Sequence, residues 1–268
     1  MRKLGIIACL IGLVLGGFFA VANSSANAAD NIKIGLIEPL SGPIAAIGID
    51  AQQAFETAAE QINAKGGVLG GRMLEIVPLD NAMSAEKTTQ QLKNAVDLGL
   101  KYIIQGIGSN HALNIIQFVN KNNKRNPDKA MMFLNHSAVT TAFTNELCSF
   151  WHFRFDANVD QKVAGLVTQM NRDSSIKKVY MLNQNYAYGK SFQGAARAIM
   201  GERTPDIEIV GDELIVPFGK VQDFTPFIAK IKASGADTVL TGNWGPDLVR
   251  LVKFAAGANL PVQFYTIY

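Results

Sequence analysis

The chain has 268 residues, of which 48% are hydrophobic and 18% charged, and its formal net charge at pH 7 is +3. That length is enough for two domains of common size. The small net charge, with no long basic run and no basic patch interleaved with aromatics, excludes nucleic acid as an expected partner.

The N-terminal segment has the order of a secretory signal peptide. Arg2 and Lys3 precede an apolar run from Leu4 to about Ala22, and the small residues that follow include Ala26-Asn27-Ala28, an A-x-A cleavage site. A transmembrane anchor is the alternative, because the run approaches the ~20 residues of a spanning helix. Glycines within the run weaken that alternative. The sequence therefore predicts a signal peptide over residues 1–28, cleaved near Ala28, and export to the periplasm.

The two cysteines cannot form an internal disulfide after this cleavage. Cys9 lies inside the apolar run and would be removed, which leaves Cys148 alone. We therefore expect the fold to be held by its hydrophobic core, although the exported compartment permits disulfides.

From Ile32 onward, short apolar runs alternate with amphipathic stretches. Gly, Ser or Asp residues separate them, and this alternation is typical of parallel α/β units. The predicted strands cover residues 32–36, 74–79, 102–105, 131–134, 177–182, 207–216, 238–241 and 262–265. The sequence therefore predicts an α/β protein with parallel sheets.

Two predicted helices have an apolar face that can pack on a sheet. The helix at 51–64 carries that face at Phe55, Ala58, Ala59 and Ile62. The helix at 248–256 carries it at Leu248, Leu251 and Val252, and Gly257 ends it.

Segment 148–156 separates two blocks of similar build. Its aromatic residues stand at alternate positions, as a strand buried on one face requires. We therefore interpret it as the first crossing between two lobes, near Phe155. The predicted lobes are residues 29–155 and residues 156–268.

The sequence contains no enzyme or metal-site motif. The glycine pairs at 66–67 and 70–71 follow a helix and lack the phosphate-loop pattern. The three histidines are not spaced as metal ligands, and Ser109 and Ser137 lack a G-x-S-x-G elbow. We therefore expect a non-enzymatic protein without cofactor or metal.

Small polar residues follow two strands of the first block. Ser109 and Asn110 come after the strand ending near Gln105, and His136 and Ser137 after the strand ending near Leu134. In open parallel sheets, ligands bind beyond these carboxyl ends. Ser109 also begins a predicted helix, where a hydroxyl and free N–H groups favour a carboxylate; an ordinary N-cap is the alternative interpretation.

Aromatic residues occupy the corresponding turns of the second block. Tyr186 and Tyr188 follow the strand ending at Leu182, and Trp244 follows the strand ending at Thr241. Such rings can cover an apolar ligand at low conformational cost. Packing between the lobes is the alternative interpretation.

Two motifs carry a resemblance to a known family, Leu40-Ser41-Gly42-Pro43 and Ile62-Asn63-Ala64-Lys65-Gly66-Gly67. Shorter matches accompany them at Ile34-Gly35, Gly48, Asp80 and Tyr188-Gly189. Together they resemble the branched-chain amino-acid type of ABC-transporter substrate-binding protein. The resemblance implies a type I periplasmic binding-protein fold, in which two Rossmann-like lobes with parallel sheets close on a ligand. It also implies delivery of that ligand to a membrane permease with its ATPase, and a monomer.

The resemblance also assigns roles by position. The serine that binds the ligand carboxylate matches Ser109, which Asn110 follows, and a second contact strand matches His136-Ser137-Ala138. Aromatic contacts from lobe 2 match Tyr188 and Trp244.

The sequence departs from the family at three places. No acidic residue lies between Gly257 and Tyr268, where amino-acid binders carry the partner of the ligand ammonium. A buried ammonium without that partner is costly, so aliphatic or aromatic carboxylates are the favoured ligands, before branched-chain amino acids or amides. The disulfide of some relatives corresponds to Met83 and Gly108. Family members usually continue further, so lobe 2 and the return crossovers are expected to be incomplete.

The predicted function is solute binding for an ABC importer. The alternative is the ligand-sensing module of a signalling system, in which the closed form contacts a receptor or kinase. An enzyme is the third hypothesis.

Overall fold

The computed structural model describes residues 30–215 and 219–268. The predicted signal peptide, residues 1–28, therefore lies outside the described residues. Within them the chain forms two parallel sheets, each with its own helices. The predicted α/β class and the division into two lobes with parallel sheets are confirmed.

The first lobe holds a five-stranded sheet in the described part of the chain, with strand order β2-β1-β3-β4-β5. Neighbouring strands are all parallel. Its elements are β1 (Ile32–Glu38), α1 (Ala45–Ala64), β2 (Leu74–Asp80), α2 (Ala85–Asp97), β3 (Tyr102–Gln105), α3 (Ser109–Arg125), β4 (Met132–Asn135) and β5 (His152–Arg154).

The second lobe repeats this arrangement with a four-stranded parallel sheet among the described residues, in the order β7-β6-β8-β9. Its elements are α4 (Val159–Met170), β6 (Lys178–Gln184), α5 (Ala187–Arg203), β7 (Glu208–Ile215), α6 (Thr225–Ser234), β8 (Thr238–Thr241), α7 (Gly245–Gly257) and β9 (Gln263–Thr266). A boundary near Phe155 stays our proposal.

In both sheets the strand order reverses beside the first strand of the lobe. The chain moves from β1 outward to β2 and then back to β3, and from β6 outward to β7 and then back to β8. Such a switch point leaves a crevice beyond the carboxyl ends of the strands. The fold therefore creates one crevice in each lobe.

Apolar side chains from helices and strands form the core of each lobe. In the first lobe, Leu92 of α2 and Ile115 of α3 pack with Ile103 and Phe133 of the sheet. The second sheet is covered by one cluster that includes Val163, Phe192 and Leu240, and by another that includes Phe224, Val239 and Leu251. Burial of this kind, about 25 cal/mol per Å² of apolar surface, is the main stabilising contribution.

The apolar face predicted for the first helix is wrong in part. Helix α1 begins at Ala45, and Ala58 and Ile62 are exposed, whereas Gly48 and Ala59 are buried. At Gly48 the helix meets the backbone of Pro39, because an added Cβ there would lie 2.2 Å from the Pro39 carbonyl oxygen. The residues that α1 buries are thus both small, Gly48 and Ala59, and Phe55 is only partly buried.

The inward face predicted for the helix at 248–256 is also wrong in part. Helix α7 buries Asp247, Leu251 and Ala255, whereas Val252 is 42% exposed. These buried residues are spaced by four, as one helix face requires. The apolar pattern of the sequence did not predict this buried face because one of its residues, Asp247, is charged.

The prediction of buried alternate aromatics in segment 148–156 is wrong. Only His152–Arg154 forms a strand, and Phe150, Phe153 and Phe155 are 81%, 46% and 73% exposed. The strand is at the edge of its sheet. The alternation of side chains in a strand places His152 inward, where its ring packs on Phe133 and Phe143, and therefore turns Phe153 outward.

Candidate functional site

A cavity of about 260 Å³ lies between the carboxyl edges of the two sheets. Its walls come from the turns after β3 and β4 on one side and from the turns after β6 and β8 on the other. Ile47 of α1 and Tyr268 complete the lining. The two crevices therefore meet in a single chamber between the lobes.

The first-lobe wall includes the start of α3. The loop Gly106-Ile107-Gly108 leads from β3 into this helix, and Gly108 has a φ of +94°, which favours glycine. Helix α3 begins at Ser109, and the capping residue is Gly108 without a side-chain cap. The alternative of an ordinary serine N-cap is therefore wrong, and the hydroxyl of Ser109 is not used for capping.

The start of α3 is also an electrostatically positive point. The N–H groups of His111 and Ala112 donate to the carbonyl of Gly108. The N–H groups of Ser109 and Asn110 precede them, at positions where a helix has no internal acceptor. Unpaired N–H groups and the helix dipole favour an anion here. Ser109 is 3% exposed and lines the cavity, so its hydroxyl stands beside these groups.

The turn after β4 contributes Ser137 and Ala138 to the lining, but His136 points elsewhere. Its Nε2 lies 2.7 Å from Oε1 of Glu38, and its ring meets Phe55 edge-on at 5.3 Å. His136 is not among the cavity-lining residues. A direct ligand contact by His136, as the sequence predicted, therefore has no support from its orientation.

Asn110 is exposed and takes part in a contact between the lobes. Its Oδ1 accepts a hydrogen bond from the N–H of Ala187, at the start of α5, over 3.3 Å. A second hydrogen bond joins the N–H of Thr141 to Oγ of Ser191 over 3.4 Å. Asn110 does not line the cavity. Its position instead joins the start of α3 to the start of α5.

The second-lobe wall is aromatic. Nε1 of Trp244 donates to the hydroxyl of Tyr186 over 2.6 Å, and the rings of Tyr186 and Tyr188 are 5.8 Å apart. Tyr268 packs 5.9 Å from Tyr188 and 6.4 Å from Trp244. These distances are typical of tilted and edge-to-face aromatic pairs. The predicted residues Tyr188 and Trp244, together with Tyr186, thus share one wall.

The phenols of this wall stay neutral at physiological pH. Burial raises the pKa of Tyr186 and of Tyr188 well above the usual value, and raises the pKa of Tyr268 to about 12. No Asp, Glu, Lys, Arg or His is among the described residues that line the cavity. The cavity is therefore an uncharged chamber with polar groups at one end.

Glu38, Ile47 and Tyr268 are residues of this region that sequence reasoning did not assign to the site. Glu38 is fully buried behind the cavity wall and accepts hydrogen bonds from the N–H groups of Gly106 and Ile107. Burial raises the pKa of Glu38, while His136 and these two N–H groups oppose the rise. The sequence signal that could have identified Glu38 is a single carboxylate at the end of an otherwise apolar strand.

Residues 30–215 and 219–268 contain neither a metal-ion cluster nor a membrane-spanning helix. No group of three or more His, Cys, Asp or Glu side chains there could hold a metal ion. No helix there has the length and apolar character to cross a membrane.

The chain is similar to binding proteins over nearly all of its described length. The family model for periplasmic binding protein matches residues 31–268. Leu/Ile/Val-binding protein homolog 4 of Brucella abortus (strain 2308) is 34% identical over 251 residues, which is 93% of this chain and 59% of that protein. Leu/Ile/Val-binding protein of Escherichia coli (strain K12) is 24% identical over 252 residues, which is 94% of this chain and 65% of that protein.

Solved structures of binding proteins are also similar to this chain. The leucine-, isoleucine-, valine-, threonine- and alanine-binding protein from Brucella ovis, in a closed conformation, has a TM-score of 0.77 and 35% identity over 89% of this chain and 60% of its own. An R. palustris solute-binding protein in complex with 4-hydroxybenzoate has a TM-score of 0.76 at 21% identity, over 88% of this chain and 61% of its own, a likeness of fold alone. This chain thus spans about three fifths of the length of these two proteins. The chain belongs to the periplasmic binding protein family, and within it to the type I proteins of the branched-chain amino-acid type.

Proposed function

We propose that this protein is the solute-binding component of an ABC importer, which clamps a small organic ligand between its lobes and delivers it to a permease and ATPase. The observation that carries the proposal is the chamber between the two switch-point crevices, lined from both lobes. Export by a signal peptide over residues 1–28, a periplasmic location and a monomeric state belong to the same proposal. A non-catalytic role is part of the same proposal, because the family that the chain matches is one of binding proteins.

The ligand carboxylate is held at the start of α3. The Ser109 hydroxyl and the first N–H groups of the helix form a set of donors beside the cavity, and hydrogen bonds to an ionised carboxylate are stronger than neutral ones. Ser137 lines the same wall. The apolar body of the ligand then packs on Tyr188 and Trp244.

The chamber suits a small ligand. Its volume of about 260 Å³ lies below the roughly 300–1,000 Å³ of sites for drug-sized molecules. An aliphatic chain of a few carbons, or a single aromatic ring, with one carboxylate is compatible with that space.

The ammonium group separates the two ligand classes that we consider. None of the described lining residues is acidic, and buried phenols are weak substitutes for a carboxylate partner. Aliphatic and aromatic carboxylates are therefore the first ligand class. Branched-chain amino acids are the second, supported by the ligands named for the Brucella ovis relative.

Isothermal titration calorimetry with three related compounds tests the proposal. L-leucine, 4-methylpentanoate and L-leucinamide share one aliphatic chain and differ in the ammonium and the carboxylate; benzoate adds the aromatic class. We expect 4-methylpentanoate or benzoate to bind more tightly than L-leucine, and L-leucinamide not to bind. Tighter binding of L-leucine would show that another group holds the ammonium, and no binding of any compound would contradict the proposal.

The matched variant is Ser109→Ala, with the exposed Ser175→Ala as control. Loss of a hydrogen bond to a carboxylate costs roughly 1.5–3 kcal/mol, which corresponds to an affinity about ten- to hundredfold weaker. Ser175 lies in a turn of the second lobe, where it bonds to Asp173, so Ser175→Ala should bind as the wild type does. An unchanged affinity in Ser109→Ala would refute the carboxylate assignment.

A further inference from the structure

We propose that Glu38 is a positioning residue for the ligand cavity, which it does not touch: its buried carboxylate fixes the loop Gly106-Ile107-Gly108 and the ring of His136. The inference rests on the proposed function, because this loop forms one cavity wall and leads directly into Ser109. Glu38 acts through hydrogen bonds to other residues and does not line the cavity itself.

One carboxylate connects the carboxyl ends of three neighbouring strands. Glu38 ends β1 and is 0% exposed. Its Oε1 lies 2.7 Å from the N–H nitrogen of Gly106, after β3, and 2.7 Å from Nε2 of His136, after β4. Its Oε2 lies 3.3 Å from the nitrogen of Ile107. The two carboxylate oxygens therefore have three hydrogen-bond partners, and such bonds offset the cost of burying a carboxylate.

These bonds restrict a loop that is otherwise permissive. Gly106 and Gly108 flank Ile107, and glycine backbones adopt many conformations. Because a peptide group is planar, the bond from the Ile107 N–H to Glu38 sets the plane of the Gly106–Ile107 peptide. Gln105 supports the loop from the other side, with Nε2 2.7 Å from the Ile107 carbonyl. The direction in which the helix start presents Ser109 therefore depends on the carboxylate.

The same carboxylate explains the orientation of His136. An added Cβ on Gly106 would lie 2.5 Å from Oγ of Ser137 and 2.6 Å from Nε2 of His136, so the two turns are in close contact. The His136 ring is placed between Glu38 and Phe55. His136 is thereby held away from the cavity, while Ser137 and Ala138 after it line the wall.

The first test needs no ligand. Glu38→Gln has nearly the same shape but offers one acceptor oxygen, and its NH₂ group faces a donor. Amide hydrogen exchange of Gly106 and Ile107, followed by NMR at neutral pH, should become about tenfold faster or more, while amides of β6 and β8 keep their protection. Unchanged exchange at both residues, or faster exchange throughout the first lobe, would overturn the proposal. The second result would make Glu38 merely structural.

Matched variants separate charge from geometry. Glu75→Gln changes a half-exposed carboxylate on β2, whose nearest cation, Lys33, is 3.9 Å away, and should leave exchange at the loop unchanged. Glu38→Asp keeps the charge but shortens the side chain, so it should loosen the loop as Glu38→Gln does. A loop that is loosened by Glu38→Gln but not by Glu38→Asp would overturn a geometric role.

If Glu38→Gln does not fold, His136→Ala replaces it. That variant removes one of the three donors and should speed exchange at Gly106; no change there would overturn the proposal.

Calorimetry with 4-methylpentanoate, benzoate and L-leucine gives the second readout. We expect binding by Glu38→Gln to be about tenfold weaker or more than by the wild type, with Glu75→Gln unaffected. Unchanged or tighter binding would overturn the positioning role. If the wild type binds none of these compounds, the proposed function fails, whereas the exchange experiment still decides whether Glu38 fixes the loop.

Discussion

Gly106→Ala is the sharpest test of the packing at the cavity wall. A Cβ at this position would lie 2.5 Å from Oγ of Ser137 and 2.6 Å from both Cε1 and Nε2 of His136. These separations are shorter than van der Waals contact, so both side chains must move. Ser137 lines the cavity, and His136 is hydrogen-bonded to the buried Glu38.

The expected cost follows from those two displacements. Breaking a hydrogen bond to a charged group costs roughly 1.5–3 kcal/mol, and a side chain forced from its preferred rotamer costs about 0.5–1.5 kcal/mol. We therefore expect Gly106→Ala to lower the free energy of unfolding by about 2–4 kcal/mol. Urea denaturation followed by circular dichroism measures this difference.

The control is a glycine at which substitution by alanine should raise the free energy of unfolding instead of lowering it. Gly165 is exposed in α4, and an added Cβ there meets no atom within 4 Å. Gly165→Ala should raise the free energy of unfolding by about 0.5–1 kcal/mol, because alanine favours the helix. The reasoning is refuted if Gly106→Ala unfolds at the same urea concentration as the wild type, or if both variants shift alike.

Three further predictions concern other contacts. Trp244→Phe removes the indole N–H that donates to Tyr186, so the free energy of unfolding should fall by about 1–2 kcal/mol in urea denaturation; equal stability would contradict the buried bond. Asn110→Ala removes an acceptor that joins the lobes, so small-angle X-ray scattering of the ligand-free protein should give a larger radius of gyration than for the wild type; an identical radius would count against the contact. Burial lowers the pKa of His152 to about 4, whereas histidine in an unfolded chain has a pKa of ~6.5. As the pH falls, the unfolded chain therefore becomes protonated before the folded protein does, and unfolding is favoured. The free energy of unfolding should decrease by about 1–2 kcal/mol between pH 7 and pH 5, and His152→Gln should remove most of this decrease. An equal decrease in the variant and the wild type would contradict the prediction.

The local parts of the fold could be predicted from the sequence. The strands Tyr102–Gln105 and Thr238–Thr241 have the predicted bounds, because each is a short apolar run ended by a turn residue. The turns that line the cavity follow from the rule that parallel sheets bind ligands beyond their carboxyl ends. The helix predicted to begin at Ser109 is also observed, as α3.

The side-chain directions within those turns could not be predicted in the same way. His136 turns away from the cavity because Glu38, a residue 98 positions earlier, accepts its hydrogen bond. Asn110 reaches Ala187 in the other lobe for a similar reason. Phe153 is exposed because β5 is an edge strand, a fact that depends on strand order. Each outcome is set by a partner distant in sequence, which a local pattern does not contain.

The central claim, that a small ligand binds in the chamber between the lobes, is tested most directly by the fluorescence of Trp244. The chain has two tryptophans, and Trp151→Phe leaves Trp244 in the cavity wall as the sole reporter. Titration with 4-methylpentanoate, benzoate and L-leucine should give a saturable change in emission whose midpoint equals the calorimetric dissociation constant. Binding heat without any change in Trp244 emission would place the ligand elsewhere and contradict the account.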